Sequence, residues 1–234
     1  MQKLAVITGG TKGIGRALVK KFAENGFSVS TCARNEEALD QLKEEMEAAH
    51  ETKIHTFTAD LSKKEESTEF VEFNRLISKP LEVLINNTGV FMPGEIMSEP
   101  EGALETMINT NLYSAYHITR GLVPLMLQNK GGHVFNMCSI ASFMAYANGG
   151  SYSISKFAML GFSKVLREEL KDKAIRVTSV MPGATYTPSW EGAGIEEQRL
   201  MPAEDIASLV FDTYKLSLRT VVEDIVVRPQ LGDL

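Results

Sequence analysis

A chain of 234 residues can bury a large core as one α/β domain. Hydrophobic residues make up 44% and charged residues 23%, an ordinary globular balance, and 24 basic against 30 acidic residues give a net charge of −6, which argues against a broad nucleic-acid surface. Cys32 and Cys138 stand far apart with no C-x-x-C pair and no histidine cluster, so neither a disulfide framework nor a metal site is expected. Leu4–Thr8 predicts a first strand, and residues 14–25 a helix ending before Gly26. A second strand over 27–33 leads to a Glu- and Lys-rich helix, Glu36–Ala49; a third strand over 54–59 precedes a charged helix over 63–77. Leu81–Asn86, reading LEVLIN, is a compact strand of the kind buried on both faces. A long helix covers 100–129, residues 130–132 break it, and 133–138 is again a strand. A helix over 152–173, a strand over 175–180, a helix over 202–216 and a last strand over 221–227 complete the chain. No apolar run approaches the roughly 18 residues a bilayer span needs. The start MQKLAVITGG enters a strand within three residues, leaving no room for a signal peptide, so a cytoplasmic location without membrane contact is expected.

Seven strands alternating with helices predict a doubly wound α/β fold, a mainly parallel sheet covered on both faces. No repeat or Gly/Ser-rich linker divides residues 1–234, which predicts a single domain. Ligands of such sheets sit at the carboxyl ends of the strands, so the loops after each strand carry the functional candidates.

The first of these loops is Thr8-Gly9-Gly10-Thr11-Lys12-Gly13-Ile14-Gly15. Its glycines let the backbone approach a ligand closely, and the helix beginning near Ile14 offers free N–H groups to a pyrophosphate. The G-x-x-x-G-x-G spacing differs from the general dinucleotide fingerprint, and the absence of a full G-x-x-x-x-G-K-[ST] run disfavours a P-loop nucleotidase. The second strand ends Cys32-Ala33-Arg34-Asn35, where an NAD site usually places an acid for the ribose 2′-hydroxyl. Arg34 and Lys12 can instead converge on a 2′-phosphate, which points to NADP(H). Glu36 and Glu37, one turn later, weigh against that choice but also suit a helix start. Asp60 can accept from an adenine amino group or cap the following turn.

Tyr152-Ser153-Ile154-Ser155-Lys156 puts a phenol and an ammonium on one helix face, four residues apart. The ammonium is expected to lower the phenol pKa toward neutrality, so that Tyr152 can exchange a proton with a carbonyl or alcohol oxygen. Ser139, just past a strand, can hold that oxygen; Ser142, Ser151 and Ser153 compete for the task. Asn111, a mediocre helix former inside the long helix, suggests a local duty such as holding a water.

With these residues in order, the chain resembles the short-chain dehydrogenase/reductase family in its compact single-domain branch, which has a Rossmann fold. Thr8–Gly15 is similar to the family's T-G-x-x-x-G-x-G loop and Asn86-Asn87-Thr88-Gly89 to its N-N-A-G element, with Thr88 in place of alanine. Asn111, Ser139, Tyr152 and Lys156 fall where the family keeps its catalytic tetrad, and residues 182–187 resemble its nicotinamide-holding P-G segment. The resemblance implies that Ser139 polarises the carbonyl, Tyr152 transfers the proton, Lys156 lowers the tyrosine pKa and binds the nicotinamide ribose, and the Asn111 backbone holds a water. It further implies cofactor contacts from Gly9, Thr11, Lys12, Gly13, Ile14, Gly15, Arg34, Asn35, Asp60, Leu61 through its backbone, Asn86, Thr185 and Thr187. Relatives carry a substrate lid at 189–200, short here and holding Trp190, Gly192 and Gly194; Trp190 either stacks on substrate or pins the lid. The reaction expected is NADPH-dependent hydride transfer to a small-molecule carbonyl, with the reverse alcohol oxidation. Within that class, 3-oxoacyl-(acyl-carrier-protein) reductases and sepiapterin reductases both fit. Outside it stand a catalytically silent nucleotide sensor, disfavoured by the intact Ser–Tyr–Lys set, and a methyltransferase, disfavoured by Arg34. The long helices are those relatives use to form homodimers and homotetramers.

Overall fold

The structure, a computed structural model, describes residues 2–190 and 194–233. Seven strands, β1 (Leu4–Thr8), β2 (Ser28–Ala33), β3 (Ile54–Thr58), β4 (Leu81–Asn86), β5 (Gly132–Met137), β6 (Ile175–Pro182) and β7 (Asp224–Val227), form one sheet in the order β3-β2-β1-β4-β5-β6-β7. Every neighbouring pair is parallel, not merely most of them. Each connection passes a helix: α1 (Gly13–Glu24), α2 (Glu36–Ala49), α3 (Lys64–Arg75), α4 (Ala103–Ile108) with α5 (Ser114–Gln128), α6 (Gly150–Leu170) and α7 (Ala203–Lys215). This is the doubly wound Rossmann arrangement.

Two cores follow from alternation along strands that are apolar on both faces. Ala5, Ile7, Val83 and Ile85 point to the side covered by α1, α2 and α7, where they meet Leu18, Phe22, Met46, Val210 and Phe211. Leu4, Val6, Leu84 and Val134 point to the other side and meet Phe70, Ile118, Leu122, Met126 and Leu166 from α3, α5 and α6. The strand order reverses between β1 and β4, the place where sheets of this kind take ligands at their carboxyl ends.

The helix expected over 100–129 is in three parts. Between α4 and α5, residues Asn109–Tyr113 form a π-helical turn, an inserted residue that side-chain periodicity does not register. The helix expected at 152 begins two residues earlier, at Gly150, and its last residues, Lys171–Lys173, tighten into a 3₁₀ turn. The last strand is shorter than 221–227, because as an edge it pairs only with β6. Among the described residues, no helix is long and apolar enough to cross a membrane.

Candidate active site

The crevice is built first by the loop after β1. Gly9 at φ +71° and Gly13 at φ +49° occupy backbone space that favours glycine, and a Cβ on Gly15 would lie 2.0 Å from the Gly9 carbonyl oxygen. The first turn of α1 has neither a side-chain cap nor an acidic residue, so its leading N–H groups are open to an anion. Thr11, Ile14 and exposed Lys12 line the same turn. From the opposite wall, a Thr187 methyl lies 2.9 Å from the position of a Gly13 Cβ, so the segment after β6 closes onto this loop. Thr185 is buried and donates to the Gly183 carbonyl at 3.0 Å, leaving Thr187 as the member of the pair that meets the loop.

A lock at the strand reversal was not foreseen. Thr8 Oγ1 accepts from the amides of Asn87 and Thr88 at 2.9 and 3.0 Å, while Asn87 Nδ2 donates to the Thr8 and Gly9 carbonyls at 2.9 and 3.2 Å. The doubled Asn in the sequence was the signal, but the expectation fell on its first member. Asn86 Nδ2 is buried and donates to Thr119 Oγ1 and Asn136 Oδ1, so the side chain lies inside the fold. The Thr88 hydroxyl packs 3.1 Å from the place of a Gly9 Cβ.

At the end of β2, Arg34 is exposed, and neither it nor Lys12 makes an ion pair among the described residues. Asn35 Oδ1 caps α2 by accepting from the Ala38 amide at 2.8 Å. Asp60 accepts from the Ser62 amide and hydroxyl at 3.0 and 2.7 Å, the turn-capping role. Burial would raise the Asp60 carboxyl, but these bonds and the nearby Arg34 and Lys63 cations outweigh it and hold it below its ordinary value. The Leu61 side chain is in the core, and its carbonyl accepts from the Ser67 hydroxyl at 3.1 Å.

The reacting groups come from β5 and α6. Ser139 follows β5 as the cap of the turn Ile140–Ser142: its Oγ accepts from the Ala141 amide and its own amide donates to Ser142 Oγ, both at 3.1 Å. On the first turns of α6, Tyr152 and Lys156 share a face, and the Ser139 hydroxyl lies close enough to the Tyr152 phenol to lower its pKa. Lys156 Nζ is buried, donates to the Met137 carbonyl at 2.8 Å and lies 5.8 Å from the Tyr152 ring centroid. Asn111, in the π-helical turn, accepts from the Val90 amide at 2.7 Å and donates to the Val90 carbonyl and Ser155 Oγ at 3.0 and 2.9 Å. A Cβ on Gly89 would touch both Asn111 Oδ1, at 3.3 Å, and Lys156 Nζ, at 3.6 Å. All four expected residues therefore meet. Of the competing serines, Ser142 supports Ser139, Ser151 donates to Glu99, and Ser153 is buried with its hydroxyl unpartnered among the described residues.

One electrostatic expectation is corrected. Burial is the dominant influence on Tyr152 and pushes its phenol above its ordinary value, against the lowering effect of the nearby Ser139 hydroxyl. Burial likewise lowers Lys156, whose ammonium is turned to the Met137 carbonyl instead of the phenol oxygen. A phenol held up in this way is protonated at neutral pH, the state a proton donor needs. Phe91 stands edge-on to the Tyr152 ring at 4.8 Å, and Tyr152 is close enough to Tyr146 to add to the effect of burial in raising that phenol. Trp190 is partly buried at the end of the turn Pro188–Trp190, its amide donating to the Thr187 carbonyl at 3.0 Å. Gly192 lies outside the described residues.

Four likenesses to known proteins accompany this geometry. The family model for short chain dehydrogenases matches residues 3–198. A sepiapterin reductase of Chlorobaculum tepidum is 34% identical over 247 residues, covering 100% of this chain and 99% of that protein. A metagenomic short-chain oxidoreductase solved with NADP superposes with a TM-score of 0.84 at 28% identity, over 98% of each chain. An alcohol dehydrogenase of the archaeon Thermococcus sibiricus reaches a TM-score of 0.92 at 23% identity, over 100% of this chain and 99% of that one, a likeness of fold alone.

Proposed function

The chain belongs to the short-chain dehydrogenase family, and from that premise we propose that it is an NADPH-dependent carbonyl reductase with Tyr152 as proton donor. The observation that carries the reading is the meeting of Ser139, Tyr152 and Lys156 at the mouth of a crevice whose other end is the glycine loop. The residues fit a dinucleotide phosphate: an uncapped helix start at Gly13, a wall closing at Thr187, and two cations without an ion-pair partner among the described residues, Lys12 and Arg34, where an acid would repel a 2′-phosphate. When bound, the nicotinamide supplies the hydride.

The Ser139 hydroxyl holds the substrate oxygen, and the Tyr152 phenol donates its proton to that oxygen as negative charge develops there. Lys156, kept in place through Met137, serves the cofactor ribose and the phenol, while Asn111 fixes the loop at Val90 that faces them both. The loops at this end of the sheet leave Phe91, Met92, Phe143, Tyr146 and Tyr186 exposed, an apolar and aromatic rim. That rim and the full-length likeness to a sepiapterin reductase favour an uncharged, ring-bearing ketone over an acyl chain delivered by an acidic carrier protein. The enzyme acts as a single domain over residues 1–234, in the cytoplasm, as a homodimer or homotetramer formed through α5 and α6.

A ketone panel followed by NADPH absorbance, with Tyr152→Phe run beside the parent chain, tests the reading. Turnover of at least one ring-bearing ketone is expected, falling about 100- to 10,000-fold in Tyr152→Phe with NADPH affinity retained. Tight NADPH binding without turnover of any ketone would favour the nucleotide-sensor alternative, and an active Tyr152→Phe would remove the tyrosine from its role.

A further inference from the structure

The helix that bears Tyr152 begins from a contorted segment. Asn148 sits at φ +60° and Gly150 at φ +29°, so the chain turns sharply twice just before the reacting phenol. Gly149 occupies the cap position, and α6 has no side-chain cap of its own. What holds its first turn arrives from the loop after β4. The Gly94 amide donates to the Asn148 carbonyl at 3.0 Å. Glu99 then grips both donors of Ser151: Oε2 accepts from the amide at 3.3 Å and Oε1 from the hydroxyl. The packing has no slack, since a Cβ on Gly150 would lie 2.4 Å from the Gly94 carbonyl oxygen and 2.8 Å from Glu99 Oε2. A carboxylate here does what a helix's own cap does, pairing an open amide and meeting the positive end of the dipole.

We propose that Glu99 is a positioning residue for the reaction, setting the place of the Tyr152 phenol by clamping Ser151, its neighbour. The proposal rests on Tyr152 as proton donor. The reasoning is one of tethers. Ser139 is fixed independently by its reciprocal bonds with the turn after β5. One turn beyond Tyr152, α6 is tied to β5 through Lys156 and to Asn111 through Ser155. Ahead of Tyr152, the side-chain tie to Ser151 is Glu99. Without it the start of α6 keeps the backbone bond of Gly94 to Asn148 but loses its side-chain anchor, and the phenol shifts relative to a serine that does not move with it. Proton transfer needs heavy atoms about 2.6–3.2 Å apart, and a displacement of about 1 Å costs on the order of 100-fold. Glu99 belongs to neither wall of the cofactor crevice, so cofactor affinity is independent of it.

The test uses the full chain with NADPH and two ketone probes, diacetyl and isatin. Glu99→Ala is expected to lower kcat about ten- to hundredfold, with the ketone KM and the NADPH Kd, read by fluorescence, within about twofold of the parent. Ser151→Ala loses less, the double variant is no slower than Glu99→Ala alone, and Glu99→Gln, which keeps an acceptor, recovers most of the rate. Amide exchange over residues 150–153, which needs no substrate, accelerates in Glu99→Ala. Parent-like kcat in a folded Glu99→Ala, losses that multiply in the double variant, a loss confined to NADPH binding, or unchanged exchange would each overturn the clamp. An active Tyr152→Phe, by contrast, strikes the proton-donor reading itself, and the proposal falls with it for a separate reason.

Discussion

Lys12 and Arg34 follow two successive strands at the carboxyl end of the sheet, and both are exposed without an ion-pair partner among the described residues. Arg34 also acts on Asp60, one strand over, and helps hold its carboxyl below the ordinary value. A charge-assisted hydrogen bond contributes about 1.5–3 kcal/mol, and about 1.4 kcal/mol is tenfold. Arg34→Asp, which replaces attraction by repulsion, should therefore shift the NADPH-to-NADH ratio of kcat/KM by at least about tenfold toward NADH. Parallel titrations of the two cofactors read this directly, and an unchanged ratio would remove Arg34 from the 2′-phosphate site. The pH dependence of Tyr152 belongs to the same scale. Reduction needs the protonated phenol, and burial raises its pKa above the ordinary 10.0. The rate of ketone reduction should hold across the neutral range and fall only above about pH 10. Ser139→Ala removes a hydroxyl that lowers the phenol, so the residual activity should show its alkaline limb displaced upward. A limb near neutrality would mean that Lys156 governs the phenol after all.

At the level of elements, Asn111 carries the most for its size. It is 1% exposed, and its three side-chain bonds join the π-helical turn to the Val90 backbone and to α6 through Ser155. Asn111→Ala leaves the amide and carbonyl of half-buried Val90 without their partners, a cost of up to about 1–3 kcal/mol for each such group. A lower melting temperature together with weaker NADPH binding is expected, because Gly89 and Lys156 lie against the same side chain. Calorimetry and cofactor titration on one sample check both. The alternation of strand and helix is plain in the sequence because each buried strand is a short apolar run between turn residues, and each helix shows one apolar stripe. The loop glycines, Ser139, Tyr152 and Lys156 are equally plain, since their chemistry depends on local spacing. The π-helical turn is not, because one inserted residue leaves the apolar pattern nearly intact. Glu99 is not either: it meets Ser151 across 52 residues of chain, and no spacing rule joins them. Asn86 and Asn87 show the same limit, for adjacent strand residues point to opposite sides and only the fold tells which side is the crevice.

Across the whole molecule, stability in mild acid should depend on groups the reaction does not use. His133 lies at the start of β5, 0% exposed and stacked 3.9 Å from Phe135, with Nε2 bonded to Thr178 Oγ1 at 2.7 Å and Nδ1 buried without a partner among the described residues. Burial, reinforced by the Arg176 cation, lowers its pKa well below 6.5. Burial lowers His55 and His117 as well. A group whose folded pKa is depressed while its neutral form is the native one binds protons more readily when unfolded, so protonation draws the chain toward the unfolded state. That contribution is fully present above the ordinary 6.5 and is lost progressively as the pH falls below it. Carboxylates held low, such as Glu47 with its ordinary 4.5 and Asp60 with its ordinary 3.8, lose their contribution only in a more acid range. Between about pH 6.5 and 4.5 the histidines therefore act almost alone. The melting temperature should fall across that window by about 2–4 °C for each kcal/mol lost in a chain of this size. His133→Gln, which retains a side-chain donor for Thr178 but cannot take up a proton, should start less stable at neutral pH and lose less on acidification. Thermal melts of the two chains at stepped pH compare the slopes, and parallel slopes would assign the acid sensitivity to other groups.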